Sequence, residues 1–107
     1  MAWDIIASKD IEKYMSKSNM IMVDIRESEE YLKGHAPNMV NIRREEILDN
    51  LEILDKYDGV IICCERGNSG LKLVIELDKI FLGKKDFYNI YGGYESYEYL
   101  NLKSKEQ

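Results

Sequence analysis

The sequence is poor in the residues that usually form linkers and disulfide frameworks. Its 107 residues include one proline, Pro37, and two cysteines, Cys63 and Cys64. Because the cysteines are adjacent, a bond between them would close a strained ring and cross-link no loop, which excludes a disulfide-stabilised secreted scaffold. Repeats and low-complexity tracts are missing as well. The sequence therefore predicts one domain over residues 1–102, followed by a polar tail over residues 103–107.

Long apolar runs and an excess of positive charge are also missing. No stretch approaches the length that crosses a bilayer, and the first ten residues lack the basic and apolar regions of a secretion signal. Fifteen Lys and Arg residues stand against twenty Asp and Glu residues, a net charge of -5. A surface that binds a phosphate backbone needs clustered cations. We therefore expect a soluble cytoplasmic protein whose partners are neither a membrane nor a nucleic acid.

Short apolar segments alternate with amphipathic ones, a pattern typical of an α/β fold built on a mostly parallel sheet. Residues 60–63 show no polar alternation, as expected of a central strand that is covered on both faces. The predicted strands are residues 4–6, 21–24, 40–42, 60–63 and 87–90. Two predicted helices have serine caps, Ser8 for a helix up to Met15 and Ser28 for a helix up to Lys33, and three more span residues 44–54, 69–81 and 95–102.

One turn between a strand and a helix has the residues of a nucleophilic site. Ligands of parallel sheets bind beyond the carboxyl ends of the strands, and Cys64 lies there, at the start of a loop that contains Gly67 and Gly70. Glycines permit positive φ and close backbone approach, so the loop amides can form an anion-binding nest at the N-terminus of the next helix. That nest and the nearby cation of Arg66 favour a thiolate, the nucleophilic form of cysteine. Strand alternation turns Cys63 towards a covered face, so we interpret Cys63 as a core residue.

Three segments of the sequence resemble the rhodanese family of sulfurtransferases. Residues 24–37 are similar to the family's D-x-R-x-x-x-E-[YF]-x-x-G-H-x-P segment. Residues 60–70 are similar to its strand and cysteine loop, and residues 92–97 to its Gly-Gly-aromatic-x-x-aromatic element. The resemblance extends over nearly the whole chain. It implies a three-layer α/β domain with helices on both faces of a mostly parallel sheet.

In that family a cysteine takes a sulfane sulfur from a donor, holds it as a persulfide and passes it to an acceptor. The resemblance therefore implies a sulfurtransferase in which Cys64 carries sulfur from a thiosulfate or persulfide donor to a thiophilic acceptor, either a small molecule or a protein. No metal or organic cofactor is implied. The resemblance also implies that the loop holds the persulfide through its backbone amides, which fits an anionic terminal sulfur. The loop residues are Glu65, Arg66, Gly67, Asn68, Ser69 and Gly70.

The loop departs from the more common family pattern C-x-x-G-x-R-S. Ser69 stands where that pattern has arginine, and the cation of this loop, Arg66, lies two positions after Cys64 instead. A dianionic donor benefits from a cation aimed into the pocket, so the departure favours a persulfide donor or a protein partner over thiosulfate. We expect Arg66 to tune the thiol or to recognise the donor.

Other cysteine chemistries need residues that this sequence does not supply. The phosphatase pattern C-x5-R has Gly70 at its arginine position, and a thioredoxin-type site needs C-x-x-C. Two adjacent thiols and one histidine, His35, are too few ligands for a four-coordinate zinc site. We interpret His35 as a hydrogen-bonding element of its turn, and Asp24 with Arg26 as a supporting ion pair that orients the loops. A non-enzymatic docking or regulatory module stays the alternative to a sulfurtransferase.

Overall fold

The chain forms one parallel β-sheet. The computed structural model describes residues 3–105, and its strands are β1 (Trp3–Ile6), β2 (Met20–Asp24), β3 (Met39–Asn41), β4 (Gly59–Cys63) and β5 (Asp86–Ile90). They lie in the order β1-β5-β4-β2-β3, and every neighbouring pair is parallel. All five predicted strands are present, with ends that differ by at most one residue from those expected.

Helices cover both faces of the sheet. They are α1 (Ile11–Met15), α2 (Ser28–Lys33), α3 (Arg44–Asp49), α4 (Asn68–Ile80) and α5 (Gly93–Lys105), and 3₁₀ turns occupy Ser8–Asp10 and Leu51–Leu54. One core joins the sheet to α3 and α4 through residues such as Ile62 and Leu73. The other joins the opposite face to α1 and α5 through Ile61, Ile11 and Tyr97. The expected three-layer α/β architecture is thereby confirmed. Among residues 3–105, no helix is long and apolar enough to cross a membrane.

The two serines that were expected to cap helices do not cap them. Ser8 lies within the first 3₁₀ turn, and its hydroxyl is 2.9 Å from the hydroxyl of Ser96 on α5. Ser28 is itself the first residue of α2, follows the N-cap Glu27, and makes no side-chain cap. Both cap predictions are wrong because a tertiary contact takes the first hydroxyl and the second helix begins one residue earlier than predicted.

Two other helices differ in length from the prediction. The helix expected over residues 44–54 is broken at Asn50, whose φ of -139° and ψ of 62° are not helical. Its side-chain amide donates to the carbonyl oxygen of Glu46 at 3.0 Å, so a local side-chain bond ends the helix. Conversely, α5 continues to Lys105, so residues 103–105 of the predicted tail are helical, whereas residues 106–107 lie outside the described part.

The parallel register brings the carboxyl ends of the central strands to one edge of the sheet. Asp24 at the end of β2 is in register with Cys63 at the end of β4, and the N–H of Ile25 donates to the carbonyl oxygen of Cys63 at 2.9 Å. Because β4 lies between β2 and β5, the loop that follows β4 is flanked by the segments that follow both neighbours. This edge is where the ligands of parallel sheets bind.

Candidate active site

Cys64 lies between the end of β4 and the start of α4. It is only 3% exposed, and its Sγ accepts hydrogen bonds from the backbone N–H of Gly67 at 3.0 Å and of Gly70 at 3.2 Å. Gly70 is in the first turn of α4, where N–H groups have no intrahelical acceptor and the helix dipole is positive. The two donors and the helix end stabilise negative charge on this sulfur.

A left-handed turn at Gly67 directs the loop amides at the sulfur. Gly67 precedes α4 with a φ of 99°, a region that side chains other than glycine rarely adopt. A Cβ at this position would lie 3.0 Å from the amide nitrogen of Gly92 and 3.3 Å from the carbonyl oxygen of Ile90. A side chain at Gly67 therefore conflicts both with the turn and with the segment that follows β5.

Gly70 keeps the space beside the sulfur free of side chains. A Cβ there would lie 3.2 Å from Sγ of Cys64 and would overlap Oδ1 of Asn89. Gly70 is also the position at which the phosphatase pattern requires arginine. Because even a methyl group lacks space, the loop has no site for a guanidinium that clamps a phosphoryl group from this position.

Asn89 is a buried polar residue beside the loop that the sequence analysis did not identify. It lies on β5, is 3% exposed, and its Nδ2 donates to the carbonyl oxygen of Gly67 at 3.0 Å. Its Oδ1 is buried without a hydrogen-bond partner among the described residues. The one sequence signal was an asparagine in a strand whose other central residues are apolar or aromatic. A buried amide in such a strand usually has a specific partner.

The segment after β5 holds the cysteine loop through backbone bonds. The N–H of Tyr94 donates to the carbonyl oxygen of Cys64 at 2.7 Å, and that of Glu95 donates to the carbonyl oxygen of Glu65 at 3.1 Å. Gly93 has a φ of 60°, and a Cβ on it would overlap both carbonyl groups. The absence of a side chain at Gly93 therefore lets the cysteine loop pack against this segment.

Asp24 and Arg26 form a buried ion pair on the other side of the loop. The guanidinium donates to the carboxylate at 2.8 Å and to the carbonyl oxygen of Gly34 at 2.7 Å. It also lies 4.1 Å from the centre of the Tyr94 ring and 3.5 Å from the carboxylate of Glu65. The pair therefore joins the segment after β2 to the cysteine loop and to α5.

The side chains of Arg66, Asn68 and Ser69 are exposed, and none of them donates to the sulfur of Cys64. Arg66 is 79% exposed in its side chain, and its Nε donates to the carboxylate of Glu95 at 2.9 Å. The expectation that Arg66 acts on the thiol or the donor has no support in this geometry, because the guanidinium is held on the outer surface by α5. The loop contributes backbone N–H groups to the site rather than side chains.

Cys63 lies on the opposite face of the sheet from Cys64. It is fully buried in the core that contains Ile61 and Ile90. Burial raises the pKa of the Cys63 thiol far above its usual range, and the carboxylate of Asp24 raises it further. The two adjacent cysteines therefore differ in environment, as strand alternation predicts, and Cys63 stays a neutral thiol.

His35 stabilises its own turn. Its Nδ1 is 2.9 Å from the carbonyl oxygen of Tyr31, and its ring stacks on the Tyr31 ring with centroids 3.7 Å apart. Within residues 3–105, no three side chains of His, Cys, Asp or Glu converge in a way that would hold a metal ion. The chemistry available at this edge of the sheet is that of a single thiol surrounded by N–H donors.

Known proteins are similar to this chain in sequence and in fold. The sequence profile of the rhodanese-like domain matches residues 7–99. Thiosulfate sulfurtransferase GlpE of Coxiella burnetii is 24% identical over 97 residues, 91% of this chain and 80% of that protein. YtwF of Bacillus subtilis is 31% identical over 68 residues, 64% of this chain and 66% of that protein. The crystal structure of a rhodanese-like domain protein from Staphylococcus aureus matches with a TM-score of 0.74 and 28% identity, over 88% of this chain and 90% of that chain. The chain therefore belongs to the family of rhodanese-like domains.

Proposed function

We propose that the protein is a sulfurtransferase that carries sulfane sulfur as a persulfide on Cys64. The observation that supports this function best is the pair of N–H groups, from Gly67 and Gly70, that donate to Sγ. A persulfide ends in an anionic sulfur, and N–H groups at a helix N-terminus stabilise anions. The backbone amides of residues 65–70 hold the thiolate before transfer and the persulfide after it. The similarity to proteins named thiosulfate sulfurtransferase supports the same activity.

The proposed reaction consists of two displacements. The Cys64 thiolate attacks the sulfane sulfur of the donor, so that a bond forms between Sγ and that sulfur while the bond to the rest of the donor breaks. The electron pair of the broken bond leaves with the donor, as sulfite from thiosulfate or as a thiolate from a persulfide. A thiophilic acceptor then attacks the terminal sulfur, and Sγ leaves as the thiolate. The proposal requires no metal or organic cofactor.

In this proposal, two residues outside the cysteine loop support the reaction by positioning that loop. We assign Asp24 and Arg26 to this task because their ion pair joins the loop to its neighbours. The donor and acceptor are small molecules in this proposal, and a protein acceptor is an open alternative. The acidic composition, with a net charge of -5, favours a basic protein in that case. The cytoplasm is the proposed compartment because the two free thiols, Cys63 and Cys64, suit a reducing environment.

The test is the intact mass of the reduced protein after exposure to thiosulfate or to a small-molecule persulfide. We expect a gain of one sulfur atom that cyanide reverses. Cys64→Ser should abolish the gain, while Cys63→Ser, the matched control one residue earlier, should keep it. Equal loss in both variants, with both shown to be folded, would contradict the assignment of Cys64 as the carrier.

The docking or regulatory module is favoured by one observation, the 3% exposure of Cys64. A thiol that no donor reaches has no transfer activity. In that case neither donor adds sulfur to folded wild-type protein, although Cys64 reacts with thiol reagents after unfolding. Sulfur uptake by the folded protein decides against this alternative.

A further inference from the structure

Three cations near the cysteine loop are paired with carboxylates. Arg66 is 2.9 Å from Glu95, and Lys33 is 3.4 Å from Glu30. Arg26 is 2.8 Å from Asp24, as described above. Among residues 3–102, whose side chains the structure describes, no Lys or Arg donates to the sulfur of Cys64, and the donors are backbone N–H groups. A dianion at the sulfur would therefore meet amide dipoles and no full positive charge.

Neither arginine donates a hydrogen bond to the sulfur of Cys64. Arg26 is 6% exposed in its side chain, and it is held by the Gly34 carbonyl oxygen and the Tyr94 ring in addition to its carboxylate partner. Moving its guanidinium would leave Asp24 buried without a counter-charge, which is strongly unfavourable. Arg66 lies on the outer surface of the loop, on the side of α5. The missing cation at Ser69 is therefore not replaced by another residue.

A groove beside the loop carries an excess of negative charge. It has a volume of about 210 Å³, and its lining includes the carboxylates Glu30, Glu65 and Glu98 with the cations Arg26 and Lys33. Asp24 adds a further carboxylate directly behind Arg26. Negative charge repels anions and attracts cations before they bind, so a donor that approaches Cys64 past Glu65 is subject to the charge of this groove.

We propose, on the basis of the proposed function, that the sulfur donor is an organic persulfide whose carrier bears a positive group, such as an ammonium, and that thiosulfate is a poor donor. In the loading step the Cys64 thiolate attacks the terminal sulfur of R–S–SH. The Sγ–S bond forms, the S–S bond of the donor breaks, and R–S⁻ leaves with the electron pair, while the proton stays on the transferred sulfur. The positive group of R lies against the carboxylates of Glu65 and Glu98.

The test compares three donors at equal concentration and low ionic strength: 2-aminoethyl persulfide, carboxymethyl persulfide and thiosulfate. The readout is the rate at which Cys64 gains one sulfur atom by mass. We expect the aminoethyl donor to load the protein at least about 5-fold faster than either anionic donor, and the difference to shrink in about 1 M salt, where charges are screened. Rates of the same donors with a free small thiolate correct for their intrinsic reactivity.

Two variants test whether the carboxylates of the groove cause the preference for a positively charged donor. Glu98→Lys should raise loading by thiosulfate and lower loading by the aminoethyl donor, each by about 5-fold. Asp86→Lys makes the same change of net charge at the opposite end of the sheet and is the matched control, for which we expect less than about 2-fold change. Thiosulfate that loads wild type as fast as the aminoethyl donor would overturn the inference and leave the sulfurtransferase intact. Loading by none of the donors would overturn the proposed function itself, and the inference with it.

Discussion

The side-chain amide of Asn89 donates to the carbonyl oxygen of Gly67 at 3.0 Å, so strand β5 holds the loop that surrounds Cys64. The N–H of the same Gly67 donates to the sulfur. Asn89 therefore acts on the sulfur through one residue, and its free Oδ1 fills the space next to Gly70. We assign Asn89 the role of a positioning residue, since its hydrogen bond is to the loop and not to the sulfur.

Removing the Asn89 amide should slow sulfur loading. We expect Asn89→Ala to lower the rate about 10-fold and the free energy of unfolding by about 0.5–1.5 kcal/mol, because the buried Gly67 carbonyl loses one of its two donors and keeps the N–H of Leu71. Near neutral pH, Asn89→Asp should load sulfur more slowly than Asn89→Ala, because a carboxylate repels both the carbonyl oxygen and the sulfur. On acidification its loading rate should rise relative to that of Asn89→Ala, because a protonated carboxyl can donate to the carbonyl oxygen again. Rates and urea unfolding measured for both variants check this. If Ile61→Val, a core change of about 0.5–1.5 kcal/mol away from the loop, slows loading equally, then stability rather than positioning is the cause.

Two glycines provide a test of the space beside the sulfur. We expect Gly70→Ala to reduce loading at least 10-fold, since its methyl group would lie 3.2 Å from Sγ of Cys64 and overlap Asn89. Gly83→Ala is the control because nothing lies within 4 Å of its Cβ, although its φ of 71° makes alanine unfavourable by about 1–2 kcal/mol. Gly83→Ala should therefore lose stability and keep its loading rate. Unchanged loading by Gly70→Ala contradicts the described packing of the loop.

The environment of Cys63 predicts a loss of stability at alkaline pH. Burial raises the pKa of its thiol in the folded protein, so the unfolded chain releases this proton first as the pH rises. The contribution to stability is fully present below the unfolded pKa of about 8.5 and is lost above it. Between pH 7.5 and 9.5 we expect the wild type to lose about 1.4 kcal/mol more than Cys63→Ala. Urea unfolding at the two pH values measures the difference. Equal losses in the two proteins would mean that Cys63 does not stay neutral.

Local patterns in the sequence are sufficient to predict the strands and the position of the cysteine loop. Residues 60–63 are apolar without alternation, and β4 is indeed the central covered strand. The serine caps were predicted wrongly because Ser8 contacts Ser96, a residue 88 positions away, and no local pattern contains that information. Helix ends that depend on tertiary contacts are not visible in a window of a few residues.

The same distinction between local and distant contacts applies to the candidate site. Cys64, Gly67 and Gly70 lie in one short segment, so their geometry could be expected from turn and helix rules. Asn89 reaches the loop from 22 residues away, and Arg66 is drawn outward by Glu95 from 29 residues away. The first was missed and the second was given a role that its position does not support, because both depend on how β5 and α5 pack beside the loop.

Restoring the cation that the loop lacks should change which donor it uses. Ser69 is exposed in the first turn of α4, where the more common family pattern has arginine. We expect Ser69→Arg to raise loading by thiosulfate about 10-fold, because a guanidinium beside the N–H groups stabilises a dianion. Ser69→Gln, which is long and polar but neutral, should change the rate less than about 2-fold, and the mass of the protein after timed exposure gives both rates. An equal gain in both variants would indicate an effect of length rather than charge. No gain in Ser69→Arg, with folding intact, would show that charge at this position does not limit the use of thiosulfate, and the explanation would then pass to the carboxylates of the groove.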